Sequence, residues 1–374
     1  MLPLVLCLLT VPAQSVEDAP FCPPEEPAGC SWDFRGDYLH WYLRKMDTPP
    51  LMVTAPPGES GDLDDPDSTV IRGGRLTSRH QRYIGMRWNL DVWAADRSVA
   101  IQLNAFFLER DSSHFTARQG SVHTLAIPYV DAVTGANESR VIHGVDPVLG
   151  RLWGGMRVYS RTELFGQEGN ALIPWCEGDA GYLYLVAGGR FLQLRERLDL
   201  TSTSRVEPDR TTVYGLEDHL SLFNRFYGAQ VGLQGELRHG GWFVDAKGTV
   251  ALGVDTQQLR SKGFSVYHAP GVRTTAGHGL FVLPSNTGEY ERAVFDVVTE
   301  VRLDVGYEWK CWRLYLGYSF LTWANPARPG DQIGPVNLSQ VRPSGLVGPA
   351  LPDVPWETDF FWAHGANIGL ELRW

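Results

Sequence analysis

The sequence has no apolar run of the ~18 residues or more that a membrane-crossing helix needs. Any passage through a bilayer must therefore be made by strands. Lysine is nearly absent, with four in 374 residues, and the formal net charge is −10. No basic stripe offsets that charge, so nucleic acid is not expected as a partner, because the phosphate backbone demands cationic surface. Five cysteines are present and none forms a CxxC pair. Zinc-ligand spacing is thus missing and no metal is expected. GxSxG, HExxH, P-loop and dinucleotide fingerprints are also lacking, so neither a cofactor nor an enzymatic activity is expected.

Glycine and aromatics are abundant instead: 40 Gly, 13 Trp and 14 Tyr. Glycine weakens helices but suits curved, closely packed sheets. Trp and Tyr suit membrane interfaces, where one end of the ring is wet and the other apolar.

The residues from Asp359 to Trp374 alternate with period two. Phe360, Trp362, Ile368, Leu370, Leu372 and Trp374 fall on one face, and Asp359, Asn367, Glu371 and Arg373 on the other. That is the periodicity of a strand. A transmembrane barrel turns such an apolar face to lipid and the polar face to its lumen. Similar stretches recur at Asp37 to Leu43, Gln81 to Val92, Ser98 to Arg110, Gly155 to Gly166 and Gly181 to Leu200. They continue at Arg225 to Arg238, Trp242 to Asp255, Glu291 to Tyr307 and Trp312 to Trp323. Connections between them alternate in length. Short ones include Ala94 to Arg97, His239 to Gly241 and Glu308 to Cys311; long ones include Arg44 to His80, Asp111 to Gly154, the stretch between Leu200 and Arg225, Thr256 to Tyr290, and Ala324 to Thr358. The expectation is an all-β, antiparallel up-and-down transmembrane barrel of about ten strands in the outer membrane, with short periplasmic turns and long extracellular loops. A strand at Val122 to Val130, with a partner in the same loop, would raise the count to twelve.

Met1 to Ala13 is apolar and ends in Val11-Pro12-Ala13, a small-residue cleavage pattern. It reads as an export signal without its basic start. Residues 14–36 are then a periplasmic segment and 37–374 the barrel. Outer-membrane lipids, and the barrel-assembly machinery acting on the C-terminal strand, are the expected partners.

The inward face carries Asp245, Lys247, Glu300, Arg302, Asp304, Arg313, Glu371 and Arg373. Two readings follow. These groups line a selective constriction that passes small solutes, or they pair into a salt-bridged plug beneath partner-binding loops. A ten-strand lumen is narrow, which favours the plug. Histidines such as His80, His114, His143, His268 and His278 read as loop residues. Asp218-His219 is the one carboxylate–histidine pair that could serve a hydrolase at the extracellular rim.

Several segments resemble the seventh group of bacterial outer-membrane beta-barrel porins. These are Asp37 to Trp41, Phe226 to Leu233, Ser285 to Tyr290, Gly317 to Leu321, Arg328 to Ile333 and Asp359 to Trp374, in the family's order. Trp323 to Pro326 departs from a stretch that usually carries Ser and Val. The resemblance implies fold and location more than activity. Its most specific block is Arg328, Pro329, Gly330 and Asp331. These residues read as a turn pinned by Arg328 and Asp331, with an inward fold that narrows the lumen as the alternative. Of the cysteines after the signal, Cys22 and Cys30 are close enough to bridge. A bridge between Cys176 and Cys311 depends on how near their turns approach.

Overall fold

The computed structural model describes residues 31–75, 82–117 and 123–373. The expected signal, Cys22, Cys30, His80, Trp374 and the side chain of Arg373 lie outside the described residues.

Sixteen strands form one antiparallel sheet. In chain order they are β1 (Ser31–Leu43), β2 (Asp47–Ala55), β3 (Thr69–Arg75), β4 (Arg82–Trp93), β5 (Ala100–Leu108), β6 (Asp111–Ala117), β7 (Thr124–Val130) and β8 (Asn137–Asp146). Then follow β9 (Gly150–Gly178), β10 (Gly181–Val206), β11 (Val213–His239), β12 (Trp242–Ala269), β13 (Val272–Ala276), β14 (Gly288–Trp309), β15 (Trp312–Trp323) and β16 (Phe361–Arg373). Ten of them make a ring: β1, β4, β5, β9, β10, β11, β12, β14, β15 and β16. The pairing of β16 with β1, and of β5 and β10 with β9, completes it.

All ten expected strands are present, and the ring stays at ten. Of the expected strand Val122 to Val130, Thr124–Val130 forms β7, which pairs with β8 in the same loop, and Val122 lies outside the described residues. That pair joins β2 and β3 in a sheet above the ring rather than widening it. β1 begins at Ser31, ahead of the expected Asp37, and pairs along its length with β4 and β16. Residues 31–36 therefore belong to the barrel wall.

Two-residue turns close one rim. Gly240 and Gly241 link β11 to β12, and Lys310 and Cys311 link β14 to β15. Gly240 has φ +59°, a conformation that glycine adopts without a Cβ clash and that tight hairpins require. The opposite rim carries the long connections. There β9 to β12 run on for 29, 26, 27 and 28 residues, against the ~9–11 a tilted membrane strand needs. The stretch between Leu200 and Arg225 and the stretch Thr256 to Tyr290, both expected to be long loops, are mostly strand, because β10, β11 and β12 continue past the membrane band.

Face polarity depends on height. In the lower band the outward residues of β11 are Tyr227, Val231, Leu233 and Leu237, all exposed, while Gln230, Gln234 and Glu236 are buried inside. Higher on the same strand the inward residues are Leu216, Leu220, Leu222 and Phe226, and these are buried. Leu216 packs with Met156, Val158, Leu198 and Leu200 from β9 and β10, and with Leu51, Met52, Leu125, Ile127 and Ile142 of the upper sheet; Leu220 and Leu222 pack with Leu259, Val282 and Ala327. The extensions and the long connections thus share an apolar core above the ring.

Candidate functional site

The lumen of the lower band is where charge concentrates. Alternation fixes which residues enter it, and the ring fixes which of them meet. Glu300 on β14 is a central node. One carboxylate oxygen accepts from Arg87 Nη2 of β4 at 2.7 Å, the other from Arg190 Nη2 of β10 at 2.6 Å. No two of these three strands are neighbours in the ring. Arg190 also donates to Glu168 of β9, which takes Lys247 Nζ of β12 at 3.0 Å. Lys247 reaches further, to Gln102 Oε1 of β5 at 2.7 Å.

A second set lies toward the short-turn rim. Arg35 stands 2.8 Å from Glu371 and 3.6 Å from Asp245. Arg302 donates to Asp304 at 2.7 Å and lies 3.8 Å from Asp37. Arg313 donates to Glu236 at 2.8 Å and to Glu371 at 3.2 Å, with its guanidinium 3.6 Å over the Phe243 ring. Arg313 and Glu371 have no exposed surface at all. Charges so far from water hold only when paired, because an unpaired ion there carries a desolvation penalty of several kcal/mol. The cavity among Arg87, Glu168, Arg190, Lys247, Glu300 and Arg302 is about 10 Å³, room for about one water.

Above this network the lumen narrows to apolar side chains. Leu39, Trp41, Phe106, Leu164, Leu192, Phe226, Trp323 and Phe361 fill its section and are buried. Two layers thus occupy the lumen, one ionic and one apolar.

Seven of the charged residues expected inside (Asp245, Lys247, Glu300, Arg302, Asp304, Arg313 and Glu371) all face this lumen and are buried or nearly so. The charges expected inside omit Arg35, Asp37, Arg87, Glu168, Arg190 and Glu236. Alternation does put Arg87 on the polar face of its strand with Asn89, and Glu236 with Gln230 and Gln234, so both are legible as inward residues. Arg35 was hidden by the late start assigned to β1.

The block after β15 folds inward. Pro329–Gln332 is a buried 3-10 turn, as the Pro-Gly pair suggested, but Arg328 does not pin it to Asp331. Its guanidinium instead grips Glu196 of β10 through Nε at 2.8 Å and Nη2 at 2.6 Å, and donates to the Lys45 carbonyl at 2.6 Å. Asp331 Oδ2 is buried without a hydrogen-bond partner. A Cβ on Gly330 would sit 1.8 Å from the Asp47 carbonyl oxygen, so only glycine fits there.

Asp218 and His219 do not form a dyad. Being consecutive in β11, they point to opposite faces. Asp218 is buried inside and accepts the backbone N–H groups of Leu280, Phe281 and Val282 at 3.1, 3.1 and 2.8 Å. Burial pushes its carboxyl above the ordinary range, while those three donors oppose the shift. His219 lies on the outer face, 2.9 Å from Asp199 and 3.4 Å from Glu217. Cys176 on β9 and Cys311 in the β14–β15 turn are each disulfide-bonded.

A ten-strand antiparallel ring with an apolar exterior, a polar interior and loops segregated by length defines a barrel of the outer-membrane type. Residues 33–374 match the family described as Putative beta barrel porin-7 (BBP7), and the chain belongs to that family. No curated protein matches it. Among solved structures it is similar to the outer membrane protease OmpT from Escherichia coli, at 10% identity over 92% of this chain and 97% of that one, with a TM-score of 0.42. It is also similar to a Pseudomonas aeruginosa FadL homologue, at 6% identity, 92% and 90% coverage and a TM-score of 0.23. The P. putida toluene transporter TodX follows at 9% identity, 93% and 90% coverage and a TM-score of 0.19. At these scores none of the three carries an argument about activity or substrate.

Proposed function

We propose that the chain is an integral, multi-pass outer-membrane barrel that is closed to solutes and serves as a scaffold for its extracellular loop domain. One observation carries this reading: Glu300 ties together three non-adjacent walls through Arg87 and Arg190. A constriction that selects ions leaves charge facing water. Here the charges face one another, and apolar side chains cover them on the extracellular side. The reading is non-enzymatic, and the opposite orientations of Asp218 and His219 support that. Outer-membrane lipids surround the band in this reading, and the barrel-assembly machinery acts on β16.

Planar-bilayer recording tests it. Protein that migrates as a folded, heat-modifiable species should give no steady single-channel steps. Steps of uniform size from such protein would instead establish passage of small solutes, the activity that the family's description suggests.

A further inference from the structure

On the outer face, three arginines surround one phenyl ring. The guanidinium carbons of Arg195 (β10), Arg225 (β11) and Arg260 (β12) lie 4.5, 5.7 and 5.6 Å from the centroid of Phe223. Arg260 has Glu289 at 3.5 Å on the rim of the group. Among the described residues no carboxylate forms an ion pair with Arg195 or Arg225. Of the acids on this face, Glu163 of β9, the cross-strand partner of Arg195, is held by Arg110 and Arg161, Asp199 lies 2.8 Å from Arg197 and 2.9 Å from His219, and Glu291 of β14 stands exposed opposite Gln258. Three like charges around one ring repel one another unless an anion joins them. The ring holds the planar forks in place through cation–π contact.

The height of the cluster is informative. Phe165, Phe191 and Tyr227 form a row of rings on β9, β10 and β11, with centroids 6.2 and 5.0 Å apart. Below that row every outward residue of β11 is apolar or glycine down to Leu237. Such a row marks the boundary between hydrocarbon and headgroups. Arg225 is the next outward residue above Tyr227, about 7 Å along the strand. That places Arg225 within the headgroup layer, which is roughly 5–7 Å thick on each side of the hydrocarbon; Arg195, in register with Phe223, and Arg260, in register with Ser221, stand higher on the same face.

We propose that Arg195, Arg225 and Arg260 form a binding site for the phosphate group of an outer-leaflet lipid. Arginine suits this role because its fork matches phosphate oxygens in pairs and stays charged at any working pH. The proposal rests on the outer-membrane reading above, so the test separates the two.

The full chain is folded in detergent and incubated with lipopolysaccharide, with the same lipid stripped of its phosphates, and with inorganic phosphate. Retained lipid is then measured by native mass spectrometry. The wild type should retain the phosphorylated lipid at least ~10-fold better than the stripped one, a difference of about 1.4 kcal/mol. The variant Arg195→Gln/Arg225→Gln/Arg260→Gln should lose that preference. The variant Arg151→Gln/Arg205→Gln/Arg210→Gln, which removes the same charge at the loop tips, should keep it. Equal retention of both lipids, or an unchanged first variant, overturns the proposal. So does displacement of the lipid by inorganic phosphate at equal concentration, which assigns the site to the free ion. Heat-modifiable migration shows that each variant is folded, and co-flotation with vesicles tests the membrane reading. A folded chain that does not float with vesicles defeats that reading. One that floats but shows no lipid preference defeats only the arginine site.

Discussion

The lower and upper halves of β9 to β12 are the same strands, with one register shift, between Leu183 and Tyr184 near the lower rim, yet their faces are inverted. On β11 the outward residues change from Tyr227, Val231 and Leu233 to Glu217, His219, Ser221 and Arg225, while the inward ones change from Gln230, Gln234 and Glu236 to Leu216, Leu220 and Leu222. The backbone does nothing different at the crossing. What changes is the surrounding solvent. Lipid outside makes the apolar side the cheap one to expose and leaves polar groups to pair in the lumen. Water outside restores the ordinary arrangement, in which apolar side chains are buried. The crossing between Tyr227 and Arg225 is thus a membrane boundary written into a strand.

The two interiors should fail differently. In the lower one, Glu300→Ala leaves the buried Arg87 guanidinium without a carboxylate and Arg190 with Glu168 alone, and should destabilise the barrel by ~3–5 kcal/mol, the loss seen when one partner of a buried pair is removed. The midpoint of heat-modifiable migration in detergent reads it. In the upper one, Leu222→Ala leaves only a cavity and should give ~2–4 kcal/mol. Equal and small losses at both positions would show that the lower charges are not the seal described.

The two exteriors differ as sharply. Val231, 66% exposed, faces lipid midway down the band. Val231→Arg should lose ~2–4 kcal/mol, as a cation does at that depth on a barrel wall. Thr201→Arg, on the outward face of β10 in the upper half, should stay within about 0.5 kcal/mol. If both arginines are tolerated in folded protein, the band does not face lipid.

The rims offer a covalent test. Cys176 and Cys311 are both disulfide-bonded, but β9 and β15 stand on opposite sides of the ring. Ten tilted strands about 4.8 Å apart make a ring roughly 20 Å across, well beyond the ~7 Å limit between bridged Cα atoms. The two are therefore not partners of each other. The other cysteines, Cys7, Cys22 and Cys30, precede β1 and lie outside the described residues. A non-reducing peptide map should link the Cys176 and Cys311 peptides separately to peptides from before β1, in place of the Cys22–Cys30 bridge expected from spacing. Cys311→Ser should then lower stability by ~2–3 kcal/mol. A map joining Cys176 to Cys311, or showing Cys22 joined to Cys30, would defeat this pairing.

The comparison also explains what could be read without coordinates. Most strands of the lower band are legible, because lipid outside and polar pairs inside keep alternation clean, as from Trp242 to Val254. The upper halves of β11 and β12 read as loop because their alternation continues in inverted phase, whereas on β9 the legible stretch, Gly155 to Gly166, is the upper half and the lipid-facing part below it reads as a connection. A window spanning Leu222 to Val231 mixes Leu222 and Phe226 of one face with Tyr227 and Val231 of the other, so no single apolar stripe emerges. The charged lumen was legible as a face but not as a set of pairs. Glu300 meets Arg87 and Arg190 only through the stagger of a closed ring, which no local spacing encodes. Arg328 shows the same limit. Its partner Glu196 is 132 residues away, while Asp331, three residues on, looked like the natural pin.

Asp331 gives the smallest predicted effect and the last contrast. In the lower band the buried carboxylates are set against cations. In the upper region Asp331 is partly buried near Asp359, Glu196 and Asp47, with Arg328 the cation that opposes them. Burial, helped by those three acids, pushes its carboxyl up to about 7. The sign follows from proton counting. Between the unfolded value near 4 and the folded value near 7, the folded chain holds a proton that the unfolded chain has released. Stability from this group is therefore fully present below about pH 4 and declines as pH rises through 7. Asp331→Asn removes the ionisation and keeps the shape. It should raise the unfolding midpoint at pH 8 by the equivalent of ~1 kcal/mol, discounted for the solvent the group still meets, and change little at pH 4. A gain that is the same at both pH values would show that Asp331 titrates normally.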